Sequence, residues 1–194
     1  MLSIKNLCFG YDDNLLFENI SIDIKENKIG IIGKNGVGKT TLLNLLGGNL
    51  AAKKGIINIE KECYYTMYDF TKYAKFSIND FLKLLEPLES FNTSLINYYI
   101  NLLDIDEYLD YKLGTLSKGT QKKVSLLITF LSNRKLLLID EPFESIDEAS
   151  NKKIVEELKR IDKSYIIVSH DLNYLSSVSE KIYQVKNKGI ISYD

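Results

Sequence analysis

Cysteine is scarce in this chain of 194 residues, which contains only Cys8 and Cys63. The two thiols lie far apart, and neither has a second cysteine or a histidine at the spacing of a metal-binding pair. The sequence therefore gives no support to a disulfide framework or a zinc site. We expect both cysteines to be reduced, as small core residues of a protein in the cytoplasm.

Long apolar runs are also missing. No stretch approaches the roughly 20 consecutive apolar residues that a membrane-spanning helix needs. Residues 1–6 lack the basic start and the apolar run of a secretory signal peptide. We therefore expect a cytoplasmic protein that serves a membrane only through another polypeptide.

An excess of charge of one sign is absent, because 25 basic residues face 26 acidic residues and the formal net charge is −1. That balance gives no reason to expect a nucleic acid as the partner. Apolar residues make up 45% of the chain, a value typical of folded globular proteins. The length suits one α/β domain with room for a small subdomain.

One complete motif is present, because Gly33–Thr40 matches the phosphate-loop pattern G-x-x-x-x-G-K-[ST] at every position. Its glycines let the backbone approach a polyphosphate, whose oxygens successive N–H groups then bind. Lys39 adds positive charge near the β- and γ-phosphates, and the Thr40 hydroxyl is placed to ligate Mg²⁺. Residues 28–32 predict a buried strand before the loop, and residues 39–46 predict a helix after it. The segment predicts a nucleoside triphosphate site.

Polar residues follow two further apolar segments that predict buried strands. Residues 135–139 lead into Asp140 and Glu141, and residues 165–168 lead to His170, the only histidine of the chain. Asp140 lies where a P-loop nucleotidase places the carboxylate that holds Mg²⁺. We expect Glu141 to polarise the attacking water, and His170 to contact the γ-phosphate and hold that carboxylate in register. A lone histidine is more often structural, so its position at the end of a strand carries this assignment.

The remaining pattern predicts a mixed α/β fold. Between about residues 69 and 113, apolar residues at helical spacing predict an insert of two or three helices. Its many aromatic residues are expected to pack in a core, since no basic residues interleave with them. Further strands are predicted at residues 2–7, 20–24, 55–60 and 63–67, the last two antiparallel to their neighbours, and a closing hairpin at residues 182–185 and 190–193.

Five segments, taken in order, resemble the nucleotide-binding domain of an ABC-type ATPase: Gly33–Thr40, Leu116–Gln121, Leu136–Glu141, Ser145–Asp147 and His170. The Leu-Ser-x-Gly-x-Gln element is the specific part, because other P-loop families lack it. The resemblance covers essentially the whole chain. It implies a P-loop NTPase core with a mostly parallel sheet and an N-terminal antiparallel β subdomain over residues 1–68 and 114–194, and a helical subdomain over about residues 69–113.

The resemblance also implies roles for individual residues. A phosphate-loop set is expected to bind ATP: Asn35, Gly36, Gly38, Lys39, Thr40 and Thr41. Tyr11 is expected to stack on the adenine, and Ser117 and Gly119 to contact the γ-phosphate of ATP held by a second subunit. Asp147 is expected to contact the opposing phosphate loop. Plainer interpretations stay open, namely an exposed turn tyrosine for Tyr11 and helix caps for Ser117 and Asp147.

The sequence departs from the family pattern in two places. Lys118 and Thr120 stand where the commoner signature has glycine and glutamine, a variation that we expect function to survive. No glutamine follows the strand predicted at residues 63–67, and Met67 or Tyr68 occupies its place. We expect altered metal geometry or coupling there, with slow turnover.

The leading hypothesis is an ATPase subunit that uses ATP and Mg²⁺, dimerises around two ATP molecules and drives a separate membrane permease. The permease would dock on the helical insert around Phe70–Leu88, placing the chain peripherally on the inner face of the cell membrane. A soluble single-cassette ATPase acting in assembly or regulation remains the alternative. A P-loop kinase is rejected, because the chain has only Arg134 and Arg160 to clamp a transferred phosphoryl group and the segment Ser117–Gln121 would be unexplained.

Overall fold

The computed structural model describes residues 2–12, 14–66, 69–87 and 91–193. By the density of their contacts, these residues divide into two compact units. The first unit spans residues up to 65, residues 135–141 and residues from 162 onward. The second unit spans residues 66–134 and 142–161.

The first unit contains two β-sheets. An antiparallel sheet has the strand order β2-β1-β4 and consists of β1 (Leu2–Tyr11), β2 (Asn14–Ile24) and β4 (Lys54–Ile59). The second sheet has the order β5-β6-β7-β3-β8-β9. Its strands are β3 (Lys28–Ile32), β5 (Cys63–Tyr65), β6 (Leu136–Asp140), β7 (Ser164–Val168), β8 (Lys181–Lys186) and β9 (Gly189–Ser192). Only the β8–β9 pairing in this sheet is antiparallel.

Burial explains the central strands of the second sheet. Every residue of β6 and β7 is buried, which requires the near-continuous apolar sequence of a strand covered on both faces. An apolar cluster extends from β1 and β2 through the first helix to β6, β7 and β8, with Phe17, Leu43 and Leu138 completely buried. These observations confirm the predicted mostly parallel sheet and antiparallel β subdomain.

One predicted strand direction is wrong. We expected residues 63–67 to pair antiparallel with their neighbours, but β5 covers Cys63–Tyr65 and pairs parallel with β6. A strand of three residues does not indicate by its sequence whether it pairs parallel or antiparallel, because this depends on the distant strand that it joins. The antiparallel pairing of β4 with β1 is confirmed. Strands β1 and β2 are longer than predicted, since they continue to Tyr11 and start at Asn14.

The parallel strands place three segments at one edge of the sheet. Strand β7 lies between β6 and β3, and Val168 is in register with both Asp140 and Ile31. Because parallel strands end at the same edge, the phosphate loop after β3 and the polar residues after β6 and β7 are brought together. Helix α1 (Lys39–Leu46) starts at this edge with the predicted bounds, after the N-cap residue Gly38.

The second unit is built of helices. They are α2 (Ile78–Leu85), α3 (Ile96–Leu102), α4 (Lys118–Leu131) and α5 (Glu148–Arg160); α6 (Leu172–Val178) belongs to the first unit. Side chains of Ser77, Ser117 and Asp147 cap α2, α4 and α5 by accepting backbone N–H bonds. Among the described residues, none of the helices combines the length and the apolar character needed to cross a bilayer.

Candidate functional site

The phosphate loop has a backbone that requires glycine. Gly36 and Gly38 have φ angles of 77° and 107°, in the left-handed region that side chains rarely adopt. A Cβ on Gly38 would also meet the Phe17 ring at 3.1 Å. A Cβ on Gly33 would approach the carbonyl oxygen of Val185 to 2.9 Å. The spacing of glycines in the motif therefore follows from local conformation and close packing.

Lys39 is held inside this loop. Its side chain is 7% exposed, and its Nζ donates hydrogen bonds to the carbonyl oxygens of Gly33 at 2.9 Å and Lys34 at 3.3 Å. The ammonium also lies 3.7 Å from Oε1 of Glu141. A buried cation with these partners is already oriented, so little side-chain entropy remains to be lost when an anion binds.

Thr40 and Asp140 bring two oxygen atoms together beside the phosphate loop. The Thr40 hydroxyl donates to Oδ2 of Asp140 at 2.7 Å across 100 residues of sequence. Hydroxyl and carboxylate oxygens are the ligands that Mg²⁺ prefers, and one or two of them suffice when phosphates and water complete the shell. The described residues hold no group of three or more acidic, histidine or cysteine side chains that would form a self-sufficient metal cage. The donor set therefore fits a magnesium ion bound together with a nucleotide.

Glu141 has an unusual backbone and well-placed partners. Its φ angle is 46°, a conformation costing about 1–3 kcal/mol that persists where surrounding structure enforces it. The Glu141 N–H donates to the carbonyl oxygen of Val168 at 2.8 Å, which ties the residue to β7. Its Oε2 accepts the His170 N–H at 3.2 Å and lies 2.9 Å from His170 Nδ1. The carboxylate is thus held between the histidine and Lys39.

The other residues of the first unit that are predicted to bind the nucleotide are either exposed or lie beside α1. Asn35 and Gly36 lie exposed at the tip of the loop. The Tyr11 side chain is 54% exposed, and its hydroxyl lies 3.4 Å from Oγ1 of Thr41. Tyr11 is therefore at the end of β1 and beside the start of α1, with about half of its side chain exposed and its ring in an edge contact with Phe9.

Two residues that the motifs do not reveal extend this site. The Asn44 amide donates to the Thr40 carbonyl oxygen at 2.8 Å and to the Tyr65 hydroxyl at 3.2 Å. Burial, and next the negative charge of Asp140, raises the pKa of Tyr65 to about 12. Tyr65 therefore stays a neutral phenol near the carboxylate. The sequence offered one weak signal for Asn44. It stands four residues after Thr40, so the two residues share a face of the predicted helix.

Ser117 and Gly119 lie in the second unit. Ser117 is exposed, and its Oγ accepts the Thr120 N–H at 3.0 Å. A Cβ on Gly119 would lie 2.4 Å from the Ser145 carbonyl oxygen, so glycine is required for packing. Asp147 caps α5. The capping interpretations of Ser117 and Asp147 are thus correct as local structure. Met67 and Tyr68, at the position of the missing glutamine, lie outside the described residues.

Comparisons with known proteins identify the family of this chain. Residues 17–144 match the model of the ABC transporter family. A relative from Methanocaldococcus jannaschii, named as an uncharacterized ABC transporter ATP-binding protein, is 28% identical over 99% of this chain and 76% of its own length. The spermidine/putrescine import ATP-binding protein PotA of Borreliella afzelii is 31% identical over 98% of this chain, which spans 61% of that protein's own length.

A solved structure shows the same fold. The dimeric structure of a bacterial ABC transporter cassette superimposes with a TM-score of 0.84 over 98% of this chain and 96% of that one, at 19% identity. At this identity the likeness establishes the fold alone. The matched motifs, the parallel sheet and the family model agree, and the chain belongs to the ABC transporter family, whose ATP-binding cassettes are ATPases.

Proposed function

We propose that this chain is the ATP-hydrolysing subunit of an ABC transporter, acting in the cytoplasm on a separate membrane permease. The observation that carries the proposal is the side-chain cluster beyond β3, β6 and β7. There, Thr40 bonds Asp140 at 2.7 Å and Glu141 lies 2.9 Å from His170 Nδ1. Names of relatives such as the spermidine/putrescine import ATP-binding protein support the transport assignment. The transported substrate does not carry over, because the chain spans less than two thirds of that relative.

In this proposal the phosphate loop binds the triphosphate. Backbone N–H groups of the loop and the Lys39 ammonium neutralise the β- and γ-phosphates. Thr40 and Asp140 hold Mg²⁺, and the bound ion supplies charge stabilisation on the phosphate oxygens. Tyr11 stacks on the adenine with its exposed ring, while Asn35, Gly36, Gly38 and Thr41 complete the contacts of the loop with ATP.

Glu141 acts as the general base in this proposal, and His170 positions it. The Glu141 carboxylate accepts a proton from the attacking water, since it stands beside the metal ligand Asp140 and is held in place by His170. His170 Nδ1 lies against Glu141, which leaves the other ring nitrogen, Nε2, to face the γ-phosphate, and a bond to that acceptor requires an N–H at Nε2. Positioning and charge stabilisation supply most of the rate enhancement in phosphoryl transfer.

The second half of each site comes from another copy or a related cassette. The exposed Ser117 stands at the N-terminus of α4, where a hydroxyl and a helix dipole both favour a phosphate. The Gly119 N–H adds a donor that no side chain obstructs. We therefore propose that Ser117 and Gly119 bind the γ-phosphate in trans, and that Asp147 faces the opposing phosphate loop.

The permease is proposed to dock on the helical insert. Phe76, Leu84 and Tyr111 of the second unit are large apolar side chains that remain exposed, which is typical of an interaction surface. Leu88, the predicted end of this surface, lies outside the described residues. Affinity-tagged chain purified from membranes in mild detergent is expected to retain a multi-span membrane protein. Recovery only with soluble proteins would favour the alternative, an assembly or regulatory ATPase.

The shared site is tested with Glu141→Gln. We expect this variant to bind Mg-ATP, to lose steady-state hydrolysis and to shift from monomer to dimer in sedimentation experiments. The Lys39→Ala, Glu141→Gln double variant is the control, and it stays monomeric because the triphosphate no longer binds. Unimpaired hydrolysis by Glu141→Gln would remove Glu141 as the base. A monomer at saturating Mg-ATP would contradict a composite site.

A further inference from the structure

The loop before α5 is fixed in the second unit by side chains that the proposed mechanism does not use. The Asn151 amide donates to the carbonyl oxygens of Phe143 at 3.1 Å and Ile146 at 3.3 Å. Asn151 is 4% exposed, so these bonds are protected from water. They close residues 142–147 into one loop against the first turn of α5.

Asp147 at the end of this loop is held in one orientation. Its Oδ1 accepts the Ser150 N–H at 2.8 Å, and its Oδ2 accepts the Ser150 hydroxyl at 2.7 Å. These two bonds and the nearby Lys123 ammonium hold the pKa of Asp147 well below its usual range. The carboxylate is therefore charged throughout the working range of pH.

Helix α4 touches the same loop at two points on one face. Gly119 packs so closely on Ser145 that a Cβ would lie 2.4 Å from its carbonyl oxygen. Four residues further along α4, Lys123 places Nζ 3.4 Å from Oδ2 of Asp147. Residues four apart share a helix face, so the two contacts act together. The Lys123 side chain is 14% exposed and that of Asp147 is 58% exposed, so the ion pair is shielded from water on the lysine side.

We propose that Lys123 is a positioning residue that joins the start of α4 to the loop ending at Asp147, so that Ser117 and Asp147 meet a second copy of the chain as one surface. This inference rests on the proposed composite ATP site. In this proposal Lys123 binds neither the nucleotide nor the metal. It acts through Asp147, whose carboxylate it holds in a fixed direction relative to the N-terminus of α4.

The proposal separates two measurable affinities. ATP binding by a single copy uses Lys39 and Thr40 of the first unit, so loss of the Lys123 cation leaves that affinity unchanged. Dimerisation at saturating Mg-ATP uses the surface that Lys123 organises. Loss of the ion pair between Lys123 and Asp147 is expected to weaken dimerisation by about fivefold.

The experiment uses the full chain in the Glu141→Gln background with Mg-ATP. Lys123→Met, Lys123→Arg and Asp147→Asn are compared by sedimentation for dimerisation and by fluorescent-ATP titration for nucleotide affinity. Asparagine still caps α5, so Asp147→Asn removes charge while keeping the helix start. Lys153→Met is the matched control, because it deletes another ion pair of the second unit, the one with Asp104 at 2.6 Å.

We expect Lys123→Met to dimerise about fivefold more weakly at unchanged ATP affinity, Lys123→Arg to restore dimerisation, and Lys153→Met to behave as the parent. Lys123→Met is further expected to have no effect when Asp147 is already asparagine, which would identify the ion pair as the cause. The Asp147→Asn comparison also tests the pair if Lys123→Met folds poorly.

Two failures are distinguishable. A Glu141→Gln parent that stays monomeric refutes the composite site and the role of Lys123 with it. A parent that dimerises, with Lys123→Met dimerising equally well, refutes the role of Lys123 alone. Weakening by Lys123→Met that persists in the Asp147→Asn background shows that Lys123 does not act through Asp147, and also overturns the inference.

Discussion

At the scale of single residues, the charged side chains of the candidate site are held by contacts within the protein itself. Lys39 is buried among carbonyl oxygens of its own loop, and bonds to His170 and Val168 hold Glu141 in a strained backbone conformation. Groups fixed in this way do not reorganise during reaction, which is how electrostatic stabilisation lowers a barrier. The orientation of each side chain is therefore the property that point variants should reveal.

Lys39→Ala is expected to abolish nucleotide binding, since it removes the one buried ammonium of the described phosphate loop. Lys34→Ala is the matched control, because Lys34 is the exposed lysine of the same loop. Titration with a fluorescent ATP analogue measures both. Retained affinity in Lys39→Ala, or equal loss in Lys34→Ala, would contradict the assignment.

His170→Ala is expected to lower phosphate release by at least about a hundredfold, because the Glu141 carboxylate loses the partner that orients it. ATP affinity should change little, since Lys39 and the loop are intact. Steady-state hydrolysis and equilibrium titration on the same preparation separate the two effects. A large loss of affinity with normal turnover would assign His170 to binding alone.

At the scale of elements, a buried carboxylate joins α3 to α5. Glu157 is 2% exposed and accepts hydroxyl bonds from Tyr98 at 2.9 Å and Tyr99 at 3.0 Å. The Arg160 guanidinium donates to both carboxylate oxygens at 3.0 Å. Burial, and then the charge of Glu157, raises the pKa of Tyr99, which keeps its hydroxyl a donor. Tyr99 thus packs in the core, as expected, and also satisfies a buried charge. The expectation is wrong for Tyr98 and Tyr111, whose side chains are 40% and 56% exposed.

Glu157→Gln is expected to destabilise the chain by about 2 kcal/mol, because the amide presents a donor to groups that are themselves donors. Urea unfolding measures this difference in free energy. Glu156→Gln is the control, since Glu156 lies one residue earlier on α5 with a side chain that is 73% exposed. Equal effects of the two changes would show that the buried network contributes nothing beyond surface charge.

At the scale of the whole molecule, stability should fall in alkaline solution. The folded pKa of Tyr65 is about 12, above the value near 10 of an unfolded tyrosine. Because the folded state favours the neutral phenol, this contribution is complete below pH 10 and is lost as the pH rises from about 10 to about 12. Free energies of unfolding at pH 8 and pH 11 measure the loss. Tyr65→Phe should reduce the difference between the two values, and an unchanged difference would contradict this account.

Part of this protein was determined by local sequence. The phosphate loop needs glycines for its own left-handed backbone, and α1 starts and ends at the predicted residues. Asp140 and His170 could be placed beside that loop because they end apolar strands, and parallel strands end at one edge. Each of these inferences depends on a short motif whose own residues determine its local geometry.

Tertiary structure decided the rest, because those features depend on contacts between distant residues. The short strand Cys63–Tyr65 is parallel only because it joins β6. Tyr65 and Asn44 became part of the site when that strand and α1 were brought together. Lys123 and Asp147 are 24 positions apart in the printed sequence, and only the fold brings their charges within 3.4 Å. A sequence pattern specifies what a segment can do alone, whereas these residues have roles only through the neighbours that folding supplies.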